Sequence, residues 1–337
     1  MHYNNLGSSN LKVSKLCLGT MMFGDQTDLA EAANTVAHAH EHGVNFIDTA
    51  DVYTAGASEA MVGQLIHANR HDWVLATKLG NTMPGRVNSG HYSRVWMLRA
   101  LEQSLQRLQT GHIDIYYLHR DFAGMQLEEP LRALDDMLRS GKIRYWGVSN
   151  FRGWRIAELV HLAERLGMPG PVVCQPYYNL LNRMPEVEIL PACQYHGLGV
   201  VPYSPIARGV LTGKYTPGAA PEAGSRAGRG DKRMAETEFR EASLAIAQQL
   251  KVHAAAKGVT LAQFATAWVL ANRAVSAVIA GPRTLAQWQD YLPALGYTLD
   301  ADDEALVDSL VAPGHPSTPG FTDPAYPLIG RQTASAA

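Results

Sequence analysis

The sequence predicts an α/β fold, a (β/α)8 TIM barrel with an N-terminal β-hairpin and a C-terminal tail over the barrel mouth. Three observations carry that expectation. Short apolar runs alternate with amphipathic helical stretches over residues 16–280. The runs number eight, the count that closes such a barrel, and 337 residues suit one barrel with additions. The runs are almost continuously apolar, as strands covered on both faces are.

The elements follow in order. Residues 3–16 read as a hairpin lid over the barrel floor, turning at Ser8-Ser9-Asn10-Leu11, where Asn tolerates a left-handed conformation. Strands are expected at 16–19, 45–48, 74–78, 113–119, 145–149, 172–175, 200–203 and 277–281. Helical periodicity places helices at 30–42, 58–68, 94–108, 130–140, 153–166, 185–196, 238–257, 261–272 and 284–295. Gly43, Gly111, Gly141, Gly167 and Gly197 each follow a helical run as stop signals. A loop rich in Gly, Ala, Pro and Arg spans 216–234, and a Pro-rich tail spans 313–337. No linker or further repeat divides the chain, so 1–337 is expected to be one domain with its barrel core at about 16–295. Trp96, Trp268 and Trp288 sit on helix patterns and suit packing.

Composition narrows the function. With 29 Lys and Arg against 31 Asp and Glu, the net charge of -2 gathers no polyanion, so a nucleic-acid partner is not expected. The scattered Cys17, Cys174 and Cys193 form no CxxC and no disulfide framework, which suits a reducing cytosol and a cytoplasmic location. The first ten residues lack a basic n-region and an apolar h-region, so no secretory signal is expected. The apolar stretch 259–272 is interrupted by Gln263 and Thr266 and is too short for a bilayer, so no membrane partner is expected. No pair among the 13 histidines has zinc spacing with a third ligand, so no metal is expected. No feature points to a particular oligomeric state.

In such barrels the working residues stand at the C-terminal ends of the strands. Here those ends carry Asp48, Lys78, His119, Ser149-Asn150, Gln175, Tyr203 and Gly281-Pro282-Arg283, and Tyr53 follows Asp48 by five residues. Strand ends need no ionisable group for stability. A tyrosine phenol titrates near ~10, and a neighbouring ammonium lowers that value. Lys78 can supply the ammonium, Asp48 can hold it charged, and His119 can orient a carbonyl oxygen beside Tyr53. Such a set donates a proton to a developing alkoxide. No side chain supplies a hydride, so a cofactor must. The same residues have plainer readings: Asp48 and Lys78 as a structural ion pair, Tyr203 as core, and Arg226, Arg229, Lys232 and Arg233 as a solvated loop.

The order of these blocks resembles the aldo-keto reductase family, nearly end to end. The resemblance runs through Leu18-Gly19-Thr20-Met21, Phe46-Ile47-Asp48-Thr49-Ala50-Asp51-Val52-Tyr53, Ala76-Thr77-Lys78, Leu118-His119 and Gly147-Val148-Ser149-Asn150. It continues in Tyr203-Ser204-Pro205-Ile206-Ala207-Arg208-Gly209, Leu211-Thr212-Gly213-Lys214-Tyr215 and Gly281-Pro282-Arg283-Thr284, and is closest to the bacterial and potassium-channel-β-like branches. The resemblance implies Asp48, Tyr53, Lys78 and His119 as the catalytic tetrad, with Tyr53 as acid. It implies NADPH or NADP lying extended across the barrel mouth, near Gly19, Thr20, Met21 and Asp48. Ser149, Asn150 and Gln175 match residues that bind the nicotinamide carboxamide, and Tyr203 the aromatic that stacks on its ring. Ser204, Ile206, Arg208 and Lys214 match the loop along the pyrophosphate, and Ser225-Arg226 a Ser-Arg in the loop folded over the cofactor, so 204–234 becomes a cofactor loop. Arg283, Thr284 and Gln287 match contacts to the adenosine 2′-phosphate. The family's usual Glu-Asn at the adenine edge is Asp290-Tyr291 here, where Asp290 can replace Glu. The GxGxxG fingerprint of Rossmann domains is absent, in keeping with an extended cofactor.

These features imply an NADPH-dependent oxidoreductase that reduces an aldehyde or ketone to an alcohol. Two alternatives stay open: a Schiff-base lyase acting through Lys78, and a channel-β-like regulatory subunit sensing NADPH. The carbonyl substrate is expected to meet Met22-Phe23, residues 83–92, Asp121-Phe122 and the tail at 321–326. A free N–H at the helix start after Arg283 is expected to add a donor for the 2′-phosphate.

Overall fold

The protein is described here by a computed structural model covering residues 1–81, 87–328 and 330. Met83, expected in the substrate pocket, lies outside them, as does the end of the expected tail. The hairpin pairs β1 (Tyr3–Asn5) antiparallel with β2 (Lys12–Ser14). Its left-handed residue is Gly7, at φ +59°, and not Asn10. The reason is tertiary. A Cβ on Gly7 would run into the backbone of Gly197 and Gly199, and the Ser8 N–H donates to Gly197 O at 2.8 Å. Docking onto the barrel floor therefore sets the turn. Leu6 and Val13 are fully buried in the barrel interior and plug it from below.

The βα units follow as expected. β3 (Leu16–Gly19), α1 (Leu29–Glu41), β4 (Phe46–Asp48), α2 (Ala57–Ile66), β5 (Val74–Leu79) and α3 (Arg94–Arg107) come first. β6 (Ile113–Leu118), α4 (Glu128–Arg139), β7 (Ile143–Ser149), α5 (Gly153–Arg165), β8 (Val173–Gln175), α6 (Ile189–Tyr195) and β9 (Gly199–Val200) continue the alternation. α7 (Lys232–Thr237), α8 (Glu241–Ala256), α9 (Leu261–Ala271), β10 (Val278–Ala280), α10 (Leu285–Tyr291) and α11 (Ala301–Leu310) complete it.

β3 to β10 form one parallel eight-stranded sheet, in the order β10-β3-β4-β5-β6-β7-β8-β9. Bridges Val200–Val275 and Tyr203–Ile279 join its two ends and close the barrel. Registers such as Gly19–Asp48, Asp48–Ala76 and Ser149–Gln175 bring the C-terminal strand ends level around one rim. Alternate strand residues serve two cores. Cys17, Phe46, Ala76, Ile115, Tyr117 and Val173 fill the barrel, while Leu18, Ile47, Leu75, Tyr116 and Val148 pack outward under the helices. Trp96, Trp268 and Trp288 are buried in that outer core, as expected for packing residues.

Several helix boundaries shift. Gln109 at φ +52° takes the left-handed position after α3 that Gly111 was expected to fill. The expected helix at 185–196 starts as a 3-10 turn at Met184–Glu186, and the one at 284–295 ends in a 3-10 turn at Leu292–Gly296. α7 and α11 were not foreseen. α7 starts within the loop expected at 216–234, with the Asp231 side chain capping Met234 N, and α11 carries a capping box between Asp300 and Asp303.

The tail crosses the rim and is clasped by arginines. Arg233 pairs with Asp323 through two bonds of 3.0 and 2.6 Å, Arg152 donates to Tyr326 O at 2.7 Å, and the Arg240 guanidinium lies 3.7 Å from the Phe321 ring centre. Among the described residues no helix is long and apolar enough to cross a membrane.

Candidate active site at the barrel mouth

The rim opens into a cavity of about 360 Å³. Asp48, at the end of β4, is 2% exposed, and Lys78, near the end of β5, is fully buried. Lys78 Nζ bonds Asp48 Oδ1, donates to Thr49 O at 2.7 Å and reaches the Tyr53 hydroxyl at 3.3 Å. Gln175 Nε2 donates to the other Asp48 oxygen at 2.9 Å. With both oxygens accepting, Asp48 is the carboxylate of an ion pair. Burial alone would lower the Lys78 pKa, but Asp48 and Tyr53 together raise it, so Lys78 is an ammonium. An amine held this way is not a free nucleophile.

Tyr53 corrects one expectation. Burial raises its pKa above 10.0 and outweighs the lowering by Lys78, while Asp48 raises it further. The hydroxyl therefore keeps its proton at neutral pH, and the ammonium stands ready for the phenolate left after transfer. Tyr53 begins a short turn in which Thr54 and Ala55 both take positive φ, an uncommon conformation of the kind found at working sites.

His119 follows β6 and meets the Tyr53 ring edge-on, 6.0 Å between centroids at 81°. Its backbone is fixed by bonds from its N–H to Leu79 O at 2.9 Å and from Asn150 Nδ2 to its carbonyl at 3.0 Å. Burial, Lys78 and Arg120 hold the imidazole pKa well below 6.5, so the ring is neutral. Its Nδ1 lies 2.9 Å from Asn81 Nδ2.

The expected nicotinamide residues form one connected set. Asn150 Nδ2 donates to Ser149 Oγ at 3.0 Å, Ser149 Oγ donates to Gln175 O at 2.9 Å, and the Tyr203 hydroxyl donates to Asn150 Oδ1 at 2.8 Å. Gly19, Thr20, Met21, Ser149, Asn150, Gln175, Tyr203, Ser204 and Ile206 all line the cavity with Asp48, Tyr53 and His119. Along its wall the backbone is held in left-handed conformations at Ser204, Ala207 and Arg208, a concentration of strain that a packed loop does not need.

The cations divide into two groups. Arg208 lines the cavity but is committed to the buried Glu238, at 2.9 Å, and Arg226 is committed to Asp231, at 2.8 Å. Lys214 and Arg283 line the cavity as well, and neither head group has a hydrogen bond or ion pair among the described residues. These two suit anionic groups, and a chain of phosphates along this wall fits the donor set.

The helix start beyond Arg283 has fewer free N–H groups than expected. Arg283 N donates to Gln287 Oε1 at 2.9 Å, Leu285 N to Glu31 Oε1 at 2.5 Å and Gln287 N to the Thr284 cap at 3.3 Å. A carboxylate from α1 already occupies that position. The guanidinium of Arg283 remains as the charged donor there. Gly281, Gln287, Asp290 and Tyr291 line the adjoining wall, with Asp290 Oδ1 accepting from Gln263 at 2.8 Å.

Other expected substrate contacts separate similarly. Met22 and Tyr326 line the cavity, but Phe23 is fully buried in the outer core, because the bend after β3 turns it inward. Asp121 pairs with Arg155, while Phe122 stacks on His91 at 4.0 Å. Phe321 lines a neighbouring cavity of about 310 Å³ under the tail, which shares Tyr326 and Asn150 with the first.

Comparison with known proteins decides the family. The family model described as "Aldo/keto reductase family" matches residues 15–312. The chain belongs to the aldo/keto reductase family. It is 39% identical over 300 residues to a "Probable voltage-gated potassium channel subunit beta" of Arabidopsis thaliana, covering 88% of this chain and 91% of that one. It is 36% identical over 339 residues to the "Uncharacterized oxidoreductase YrpG" of Bacillus subtilis, covering 97% and 99%. A rice protein also titled "Probable voltage-gated potassium channel subunit beta" is 38% identical over 300 residues, with 88% and 91% covered.

Some site residues of this aldo/keto reductase leave no local signal in the sequence. Asn81, Glu31 and Glu238 act through partners 38, 254 and 30 residues away. Asp51 is 2% exposed and neither of its oxygens has a hydrogen-bond partner among the described residues. Burial and Glu59, opposed by Arg107 and Lys78, push its pKa from 3.8 to about 7.

Proposed function

We propose that this aldo/keto reductase uses NADPH to reduce an aldehyde or ketone to an alcohol, with Tyr53 as the proton donor. The observation that carries the reading is the meeting of a protonated Tyr53 hydroxyl, a buried Lys78 ammonium and a neutral His119 ring at one cavity mouth. When bound, NADPH supplies the hydride that ends on the carbonyl carbon. His119 orients the carbonyl oxygen, and the Tyr53 proton ends on that oxygen as the alkoxide forms. Lys78 stabilises the phenolate left behind, and Asp48 with Gln175 keeps Lys78 charged and in place. Ser149, Asn150 and Gln175 offer amide and hydroxyl groups for a carboxamide, Tyr203 offers a ring face, and Lys214 with Arg283 holds the phosphates. Arg208 and Arg226 act through the cofactor loop, since their charges are already paired. We also read residues 1–337 as one working unit, and the three unpaired, buried cysteines support a reducing, cytoplasmic setting.

A second reading draws on the relatives titled as channel subunits: occupancy by NADPH would then be a signal to a partner. The complete set of Asp48, Tyr53, Lys78 and His119 supports turnover instead. A Schiff-base role for Lys78 is disfavoured by its ion pair with Asp48. The test is a panel of aldehydes and ketones, with NADPH consumption followed by its near-ultraviolet absorbance. Turnover supports the reductase. Tight NADPH binding with no turnover across the panel favours the signalling role.

A further inference from the structure

We propose that Asn81 is a positioning residue: its amide nitrogen donates to His119 Nδ1 and holds the ring as the Nε2–H tautomer, with that N–H turned to the cavity. The inference rests on the reading of His119 as the group that meets the carbonyl oxygen.

A neutral imidazole carries one proton, so one ring nitrogen donates and the other accepts. Which is which decides whether His119 attracts a carbonyl oxygen or repels it. The ring is neutral because it is half-buried beside two cations, Lys78 from β5 and Arg120 next in its own chain. Among the described residues no carboxylate is bonded to it. Asp48 engages Lys78 and Gln175 instead, and the Tyr53 ring meets His119 only edge-on. Among the described residues, the one side-chain bond to the ring runs between Nδ1 and Asn81 Nδ2, at 2.9 Å. An amide nitrogen can only donate, so Nδ1 must accept and the proton must sit on Nε2. With the amide turned about, Oδ1 would take a proton from Nδ1 and leave a bare Nε2 lone pair facing the substrate oxygen. The backbone leaves little else to adjust, since the His119 N–H and carbonyl are held by Leu79 and Asn150.

The local chain supports this placement. Gly80, at φ +121°, lies so close to the Tyr92 ring that a Cβ has no room. The bend delivers Asn81 to His119 directly after β5. The Tyr92 hydroxyl in turn donates to Arg120 O at 2.7 Å and accepts from Arg120 N at 3.1 Å, pinning the segment after His119.

The test is histidine ¹⁵N NMR on the full-length protein with NADP bound, together with the kinetics of Asn81→Asp. In the wild type, His119 should show a pyridine-type Nδ1 and a pyrrole-type Nε2. A carboxylate at position 81 can only accept, so in Asn81→Asp the proton should move to Nδ1 at high pH. The carboxylate also raises the imidazole pKa. At low pH the imidazolium still has an Nε2–H and should work, whereas at high pH the neutral ring lacks it. The variant should therefore gain a limb in its kcat profile that falls as pH rises, with a loss of about 100-fold on the basic side, the scale of one missing oxyanion donor. The dissociation constant for NADPH should stay at the wild-type value, which also reports that the variant is folded. An Nδ1–H signature in the wild type, or an Asn81→Asp variant with wild-type kcat and pH profile, overturns the proposal. A wild type with the Nε2–H signature that reduces no carbonyl defeats the reductase reading and leaves the Asn81 assignment intact.

Discussion

Replacing Lys78 by Met separates the roles of the ion pair most sharply. Methionine keeps much of the stem volume but cannot donate. Three interactions vanish together: those to Asp48, to Thr49 O and to the Tyr53 hydroxyl. Lys78 is fully buried and Asp48 is 2% exposed, so water does not replace the ammonium. Among the described residues Asp48 retains only Gln175 as a side-chain donor. Breaking a buried pair from one side costs about 3–5 kcal/mol. Burial already holds the Asp48 pKa above its ordinary value against the lowering by Lys78 and Gln175. Without the ammonium, Asp48 can avoid part of that cost by binding a proton, which raises its folded-state pKa further above the unfolded value of about 3.9. A carboxylate shifted in that direction costs nothing at low pH, where both states are protonated. It destabilises progressively as pH rises from the unfolded toward the folded pKa, and the penalty is constant above. The variant should thus melt close to wild type near pH 4 and well below it at pH 8. Carbonyl reduction should be lost at both, because the Tyr53 phenolate has no counter-charge, while NADPH still binds. Thermal melts across pH, single-turnover rates and cofactor titration measure the three effects. A variant that is inactive yet as stable as wild type at pH 8 would refute the buried pair, and an active one would refute the role of Lys78.

Arg283→Ala should weaken NADPH by about 1.5–3 kcal/mol, the scale of a charged hydrogen bond, and NADH by much less. Fluorescence titration of both cofactors checks this, and equal losses would show that Arg283 does not read the 2′-phosphate. Asp51→Asn should stabilise the protein above pH 7 and do little near pH 4, because a folded pKa raised to about 7 costs stability as pH climbs from the unfolded value. Chemical denaturation at the two pH values measures it, and a variant less stable than wild type at pH 8 would contradict the penalty. Arg233→Ala removes the two bonds to Asp323 and should loosen the tail, raising KM for the carbonyl more than it changes kcat and speeding proteolysis after residue 317. Unchanged KM and proteolysis would mean that the clasp does not hold the tail over the site.

The barrel was legible because parallel strands covered on both faces leave unmistakable apolar runs, and because ionisable residues at strand ends have no structural excuse. Asp48, Lys78 and His119 stood out for that reason, and Tyr53 through its spacing from Asp48. What stayed hidden depended on distant partners. Gly7 rather than Asn10 takes the left-handed turn because of the floor it docks on, 190 residues further along the chain. Glu31 claims the helix start at Leu285 from the far side of the β3–β10 seam. Arg208 looks like a phosphate ligand in the sequence, but the fold gives it Glu238. The direction of the Tyr53 pKa could not follow from the neighbouring lysine alone, since burial outweighs it. Asn81 lies just beyond β5 in a run with no distinctive chemistry until His119 is placed beside it.

Tyr53→Phe tests the proton donor most directly, because it removes one oxygen and leaves the ring, its edge contact with His119 and the cofactor wall in place. The variant and the wild type should be compared on one accepted aldehyde, with the NADPH dissociation constant measured on both. The expected result is unchanged cofactor binding and a kcat lower by about 100-fold or more, the range of a lost general acid. A variant that binds NADPH normally and reduces the aldehyde at close to the wild-type rate would contradict Tyr53 as the donor.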